Sequence, residues 1–396
     1  MNSPAQQQLD LNTILKIALK GGASDIHLKA GLPPMFRTRG SLVPLKNGKR
    51  LTPDEVTQIG FGLMNPAQKE EFKRTHEIDL AYGVPGLGRF RVNVFQQRGT
   101  IGIVFRVIPF AIQNFDSLNL PKVMEQIADE ERGLILVTGT TGSGKSTTLA
   151  AMIDYINSRK TRHILTVEDP VEFLIRDKRS IVNQREVGTD TLSFAGALKS
   201  ALRQDPDVIL VGEMRDFETI ETALTAAETG HLVMSTLHTM DTTETINRIV
   251  SVFPPYQQKQ VRLQLAAILK GVICQRLVPT VDGKGRVPAL EIMRVTHRIR
   301  ELIIDSERTR EIPTAIEQGH TTYGMQTFDQ SLYMLLKKGL ISFEEALRQS
   351  SNPDDFKLRV SGVGGTSDVG WSDFTEEEGG GGGGGEGGDD FEIERI

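Results

Sequence analysis

The sequence predicts an α/β protein in which a parallel-sheet core follows a smaller α+β domain. Three observations predict it. Short apolar runs recur at 134–137, 163–167, 208–211 and 231–235, with helical stretches between most of them. Continuous apolar strands alternating with helices indicate a parallel sheet covered on both faces. Upstream, the runs 89–97 and 101–108 alternate in character around Gln97-Arg98-Gly99-Thr100, which is a hairpin pattern. Last, a glycine-rich loop joins the strand 134–137 to a helical run over 146–156.

The first domain is expected over 1–118. A helical pattern around 9–19 ends at Gly21-Gly22, as a C-terminal glycine should end it. β-like runs follow at 25–28, 35–38 and 78–84. Pro53 and Pro66 each open a helix from its first turn, where the missing N–H costs nothing. A linker over 119–130 leads to the core at 131–360, which is expected to turn mostly helical after Pro254-Pro255.

The remaining segment, 361–396, is acidic and glycine-rich, with an unbroken glycine run over 379–385. It offers too little apolar surface to offset its ordering entropy, so a disordered tail is expected. Its end, Phe391-Glu392-Ile393-Glu394-Arg395-Ile396, alternates apolar and charged residues as a short docking motif would; an unstructured end is the plainer reading. The net charge of −5 hides an asymmetry: residues 366–396 hold ten acids and one base, so the rest carries +4. The whole-chain value therefore says little about partners. No apolar run approaches the ~20 residues that span a bilayer, and residues 1–9 lack the apolar core of a signal peptide. A cytoplasmic protein without membrane insertion is expected. One cysteine, Cys274, supports neither an internal disulfide nor a multi-cysteine zinc site, and it reads as a small buried residue.

The loop Gly139-Thr140-Thr141-Gly142-Ser143-Gly144-Lys145-Ser146, followed by Thr147, has phosphate-binding spacing in the strand–loop–helix context that the motif requires. Glycines let backbone N–H groups turn inward around phosphate oxygens, and the helix N-terminus adds its dipole. Lys145 would reach the β- and γ-phosphates of ATP, and the Ser146 hydroxyl would ligate Mg²⁺. Glu213, just past the strand 208–211, stands where an acid associated with Mg²⁺ and its water belongs. Glu168, Asp169 and Glu172 cluster at another strand tip; Glu168 is the best placed of them to act on the attacking water. An Asp-Pro turn with no catalytic part explains the cluster as well. His238, at the end of the strand 231–235, could sense the γ-phosphate or make a structural hydrogen bond. His231 lies at the other end. Arg89, Arg91, Arg98 and Arg106 punctuate the hairpin; they suit arginine fingers or, equally, a solvated strand face. No aromatic–basic platform for nucleic acid is evident.

These residues resemble the secretion ATPase family. Its acidic box resembles Leu165-Thr166-Val167-Glu168-Asp169-Pro170-Val171-Glu172-Phe173, and its Walker B segment resembles 205–216. Its histidine box resembles 225–239, and its N-terminal domain resembles Ala23-Ser24-Asp25-Ile26-His27 and Gly88-Arg89-Phe90-Arg91-Val92-Asn93. The resemblance spans roughly residues 10–358 and is strongest to the type IV pilus retraction branch. It implies a PAS-like N-terminal domain, a RecA-like ATPase domain and a homohexameric ring that hydrolyses ATP. Glu168 is then the catalytic base and Glu213 the Mg²⁺-associated acid, and Arg91 and Arg106 reach the nucleotide on domain closure. The implied partners are an inner-membrane pilus platform protein, which would hold the ring at the membrane's cytoplasmic face, and paralogous pilus ATPases. The branch's Ala-Ile-Arg-Asn-Leu-Ile motif reads Arg298-Ile299-Arg300-Glu301-Leu302-Ile303 here. That departure leaves an accessory pilus ATPase as the alternative.

Overall fold

The structure, a computed structural model, describes residues 10–361 apart from Arg39 and Phe110. The expected tail and its terminal motif lie outside the described residues. The chain divides into two units: Met1–Val137 with Lys145–Leu237, and Thr138–Gly144 with His238–Ile396.

The first unit opens with the helix Leu11–Lys20, capped by Asp10, which accepts the Thr13 N–H at 2.6 Å. Strands β1 (Asp25–Lys29), β2 (Met35–Thr38) and β3 (Ser41–Pro44) follow, then the helices Pro53–Leu63 and Pro66–Thr75. Both helices carry Pro in the first turn behind reciprocal capping boxes, Thr52 with Glu55 and Asn65 with Gln68. Strands β4 (Glu77–Val84), β5 (Gly88–Gln97) and β6 (Thr100–Ile108) complete an antiparallel sheet in the order β3-β2-β1-β6-β5-β4. Period-two alternation on β5 buries Phe90, Val92 and Val94 and turns Arg89, Arg91 and Asn93 to the other face. Phe90 meets Phe105 of β6 edge to face, with ring centroids 6.2 Å apart.

The same unit contains the predicted strand–helix alternation. Strand β7 (Gly133–Thr138) leads to the helix Lys145–Arg159, then to β8 (His163–Glu168) and β9 (Ile181–Glu186). The helix Phe194–Ala201 precedes β10 (Val208–Val211), and Phe217–Glu228 precedes β11 (Leu232–Leu237). The order is β7-β11-β10-β8-β9; β9 with β8, β8 with β10 and β10 with β11 pair in parallel. Every residue of β7, β10 and β11 is buried, which is why they read as unbroken apolar runs.

The second unit corrects one expectation. Residues after Pro254-Pro255 are not simply helical. The helix Pro255–Ile268 runs straight into β12 (Leu269–Pro279), which pairs antiparallel with β13 (Arg286–Arg294) from Gly271↔Arg294 to Pro279↔Arg286. Most of β12 is buried without regard to face, so it lacks the alternation that announces a strand. Short helices from His297–Ile304 to Pro353–Val360 follow. Cys274 on β12 is fully buried, as its apolar surroundings predict. Beside it, the buried Glu291 of β13 accepts from Thr242 N (2.8 Å) and Thr242 Oγ1 (2.7 Å), satisfying donors at the start of the helix Thr242–Ser251.

Candidate active site

The phosphate loop turns on three glycines. Gly139, Gly142 and Gly144 have φ of 138°, 80° and 92°, conformations that L side chains rarely adopt. A Cβ on Gly139 would lie 2.3 Å from the Gln275 backbone oxygen, and one on Gly144 would lie 2.6 Å from Gln275 Nε2. Gln275 on β12 thus backs the loop. No sequence signal marks it, because β12 lacks the alternation of a strand and reads as part of a helical region. Thr140, Thr141 and Gly142 are exposed at the loop's rim. Ser143 is buried, and its Oγ has no hydrogen-bond partner among the described residues. A buried hydroxyl without a partner on a glycine-rich loop suits an incoming phosphate oxygen.

The helix Lys145–Arg159 begins at the loop's end, and the N–H groups of its first turn have no acceptor within the helix. Lys145 is buried at 9% exposure. Burial pushes its pKa down, and the Glu213 carboxylate offsets part of that. The fold therefore sets the Glu213 charge close enough to act on Lys145, a residue 68 positions away in sequence. Ser146 is exposed and Thr147 half-buried at the helix start. Glu213, mostly buried, pairs with Arg215. It lies two residues past β10.

Glu168 ends β8, next to β10, and its carboxylate accepts two side-chain hydrogen bonds and lies near a backbone amide. Thr166 Oγ1 donates to Oε1 at 2.6 Å, Gln184 Nε2 donates at 3.0 Å, and the nearby amide is that of Glu172. Burial nevertheless raises its pKa above the ordinary glutamate range, with the nearby Glu172 charge adding to the rise. A carboxyl tuned upward at a strand tip is what a general base near neutral pH needs. Of the other two acids, Asp169 forms a cis bond to Pro170, and Glu172 sets its N–H near Glu168. Gln184 has no sequence signal of its own; only the pairing of β9 with β8 places it.

His238 directly follows β11 and is exposed. His231, at the strand's start, bonds the Ala226 oxygen at 2.9 Å and is structural. The hairpin arginines separate by register. Arg91 and Arg106 are cross-strand partners, both exposed, and Arg106 Nε donates to Asp25 at 3.0 Å. The Asp25 carboxylate offsets the repulsion between these two like charges set directly opposite. Arg89, on the same face as Arg91, reaches the buried Glu186 at 3.1 Å. Arg98 sits in the hairpin turn with φ 46°.

A phosphate loop after a buried strand, a lysine within the field of an acid just past β10 and an upward-tuned acid at the tip of the adjacent β8 define a P-loop ATPase. The chain belongs to the type II/IV secretion system protein family, whose model matches residues 2–348. It is 49% identical over 348 residues to the type IV pilus retraction ATPase PilT of Pseudomonas aeruginosa, covering 88% of this chain and all of that one. It is 40% identical over 361 residues to the type IV pilus ATPase PilU of the same organism, covering 91% of this chain and 94% of that one. The fold superposes on a crystal structure of the pilus retraction motor PilT with bound ADP at a TM-score of 0.79 and 49% identity, over 88% of this chain and 99% of that one. The fold class is the predicted one: a RecA-like P-loop core with a small N-terminal α+β, PAS-like domain. Among the described residues no helix is long and apolar enough to cross a membrane.

Proposed function

We propose that this ATPase powers type IV pilus retraction as a homohexameric motor at the cytoplasmic face of the membrane, acting on a pilus platform protein and working alongside paralogous pilus ATPases. One observation carries the reading: the chain matches the retraction ATPase over that protein's whole length at 49% identity, against 40% to the pilus ATPase PilU. The N-terminal domain (1–118) and the ATPase domain (131–360), joined by a linker over 119–130, are its moving parts.

In this reading, residues 139–147 hold ATP through backbone amides, with Lys145 at the outer phosphates. The orphaned Ser143 hydroxyl and the glycine cradle support that fit. Mg²⁺ fits Ser146 and, through water, Glu213. Among the described residues no group of three or more His, Cys, Asp or Glu could hold a metal alone. The ion would take most of its oxygens from phosphate and water, as Mg²⁺ commonly does. It would supply charge neutralisation on the transferring phosphoryl group. Glu168 takes the proton of the attacking water, His238 monitors the γ-phosphate, and Arg91 and Arg106 stabilise charge from the hairpin.

The test is pilus retraction in a null strain complemented with wild type, with Lys145→Ala, or with a chain truncated after Ser361. Wild type restores retraction and Lys145→Ala does not. Retraction intact in the uncomplemented null strain sinks the proposal. A second reading, an accessory pilus ATPase, draws on the helix His297–Ile304. Its Ile299, Leu302 and Ile303 are fully buried, whereas Arg298 and Glu301, the departures from the retraction motif, are exposed. The altered positions therefore change a surface, not the packing. The double substitution Arg298→Ala with Glu301→Asn, which restores the motif, separates the readings: an accessory protein would gain independent retraction, and a full motor would keep what it has.

A further inference from the structure

The hairpin arginines are not equivalent. Arg91 is exposed, Arg106 is exposed but pairs with Asp25 on the neighbouring strand β1, and Arg89 alone of the three is bonded to the sheet that carries Glu168. Arg89 Nη2 lies 3.1 Å from Glu186 Oε2, at the end of β9. Glu186 is buried at 6% exposure and does more than neutralise Arg89. The same Oε2 accepts the Val171 N–H at 3.1 Å, and Oε1 accepts from Thr189 Oγ1 at 3.3 Å. Val171 lies in the acidic segment that follows Glu168. The next amide along, Glu172 N–H, lies near the Glu168 carboxylate. Glu168 and Glu186 are themselves register partners across β8 and β9, and Val187 N donates to the Glu168 backbone oxygen at 2.9 Å.

Of two successive amides, that of Val171 is bonded to a carboxylate and that of Glu172 lies near enough to another to favour its charge. The first carboxylate belongs to the partner of Arg89 and the second to Glu168. A second tie comes from the exit of β6, where the Pro109 oxygen accepts from Leu174 N at 3.4 Å. The acidic segment is thus held to the N-terminal hairpin on both sides. The Arg89 end is incompletely satisfied, since its Nε is buried without a hydrogen-bond partner among the described residues. A guanidinium held through one of its nitrogens and stranded at another can rearrange when the hairpin shifts.

We propose that Arg89 is a positioning residue for Glu168, acting through Glu186 and the Val171 and Glu172 amides, so that the seating of the N-terminal hairpin sets whether the base is in place. The inference rests on the reading of Glu168 as the base and deepens it. It makes the N-terminal domain a supplier of order to the base, separate from any charge that Arg91 and Arg106 bring to phosphate. A displacement of about 1 Å at a catalytic group is enough to cost orders of magnitude in rate.

The experiment uses the full chain and steady-state Mg·ATP turnover. Arg89→Gln should lower kcat about tenfold and leave KM within about twofold, because the nucleotide cradle is untouched. Arg89→Lys, which keeps the charge, should recover kcat to within about threefold of wild type. Glu186→Gln should match Arg89→Gln, and the double variant should fall no further than either, as residues acting through one contact do. Wild-type kcat in Arg89→Gln, multiplying losses in the double variant, or a rise in KM with kcat unchanged would each overturn the proposal. If Arg89→Gln fails to fold, Arg89→Lys and Glu186→Gln with their double carry the same test. Glu168→Gln is the control. Wild-type turnover there removes the base reading itself, whereas loss there with an unaffected Arg89→Gln removes only the role of Arg89.

Discussion

Glu168 faces two opposed demands. As the proposed base it must ionise to take a proton, yet burial favours its neutral form. Glu168→Gln should cut turnover by about 10²–10⁴-fold while ADP still binds. It should also raise the unfolding midpoint at neutral pH. The sign follows from linkage. A glutamate whose folded pKa lies above its unfolded one binds more protons in the native state, so stability falls as pH rises through that interval. The midpoint gain of Glu168→Gln should therefore grow from acid pH upward and level off once the raised pKa is passed. A gain over wild type that is no larger at pH 7 than at pH 4 would show that the carboxyl is not strained by burial. The loop glycines differ among themselves. Gly139→Ala drives a Cβ to 2.3 Å from the Gln275 oxygen and should abolish ADP binding measured by calorimetry. Gly142→Ala meets no neighbour within 4 Å and costs only what its positive φ imposes, about 1–2 kcal/mol.

At the scale of elements, the helix Phe217–Glu228 matters because it anchors the turn that carries Glu213 and Arg215. Asp216 is its N-cap, accepting from Thr219 N at 2.9 Å and Thr219 Oγ1 at 2.7 Å. Partial burial works against the Asp216 charge, but these bonds hold its pKa below the ordinary aspartate range. Asp216→Ala should cost about 0.5–2 kcal/mol in denaturant unfolding at pH 7. The contribution is present above the ordinary aspartate range and is lost as pH falls through the depressed value, so wild type and variant should converge in acid. The elements are unequally legible. The capped helices at Pro53 and Pro66 and the parallel strands can be read directly, because their signals are local. The β12–β13 pair cannot: β12 is apolar on both faces, and a buried strand and a buried helix then have the same periodicity, which is none.

For the whole molecule, the family match ends at residue 348, before the acidic glycine-rich segment begins. Truncation after Ser361 should therefore leave Mg·ATP turnover within about twofold of wild type. A tenfold fall would make the segment part of the catalytic unit. The same truncation in the retraction assay separates a role in the motor from a role in its recruitment.

The sequence by itself determined the chemistry of the phosphate site and the family. The loop's eight residues are contiguous, their shape follows from glycine backbone freedom, and the helix behind them starts where the loop ends. It also named the acids at the strand tips, because each closely follows an apolar run. What only the tertiary structure decided is which side chains meet across long separations. Gln184 reaches Glu168, Gln275 backs the loop, and Arg89 finds Glu186 97 residues away. Four arginines on one hairpin look alike in the sequence. Register and sheet order send Arg89 to the buried Glu186 and Arg106 to the buried Asp25 and leave Arg91 exposed, and no local pattern carries that information.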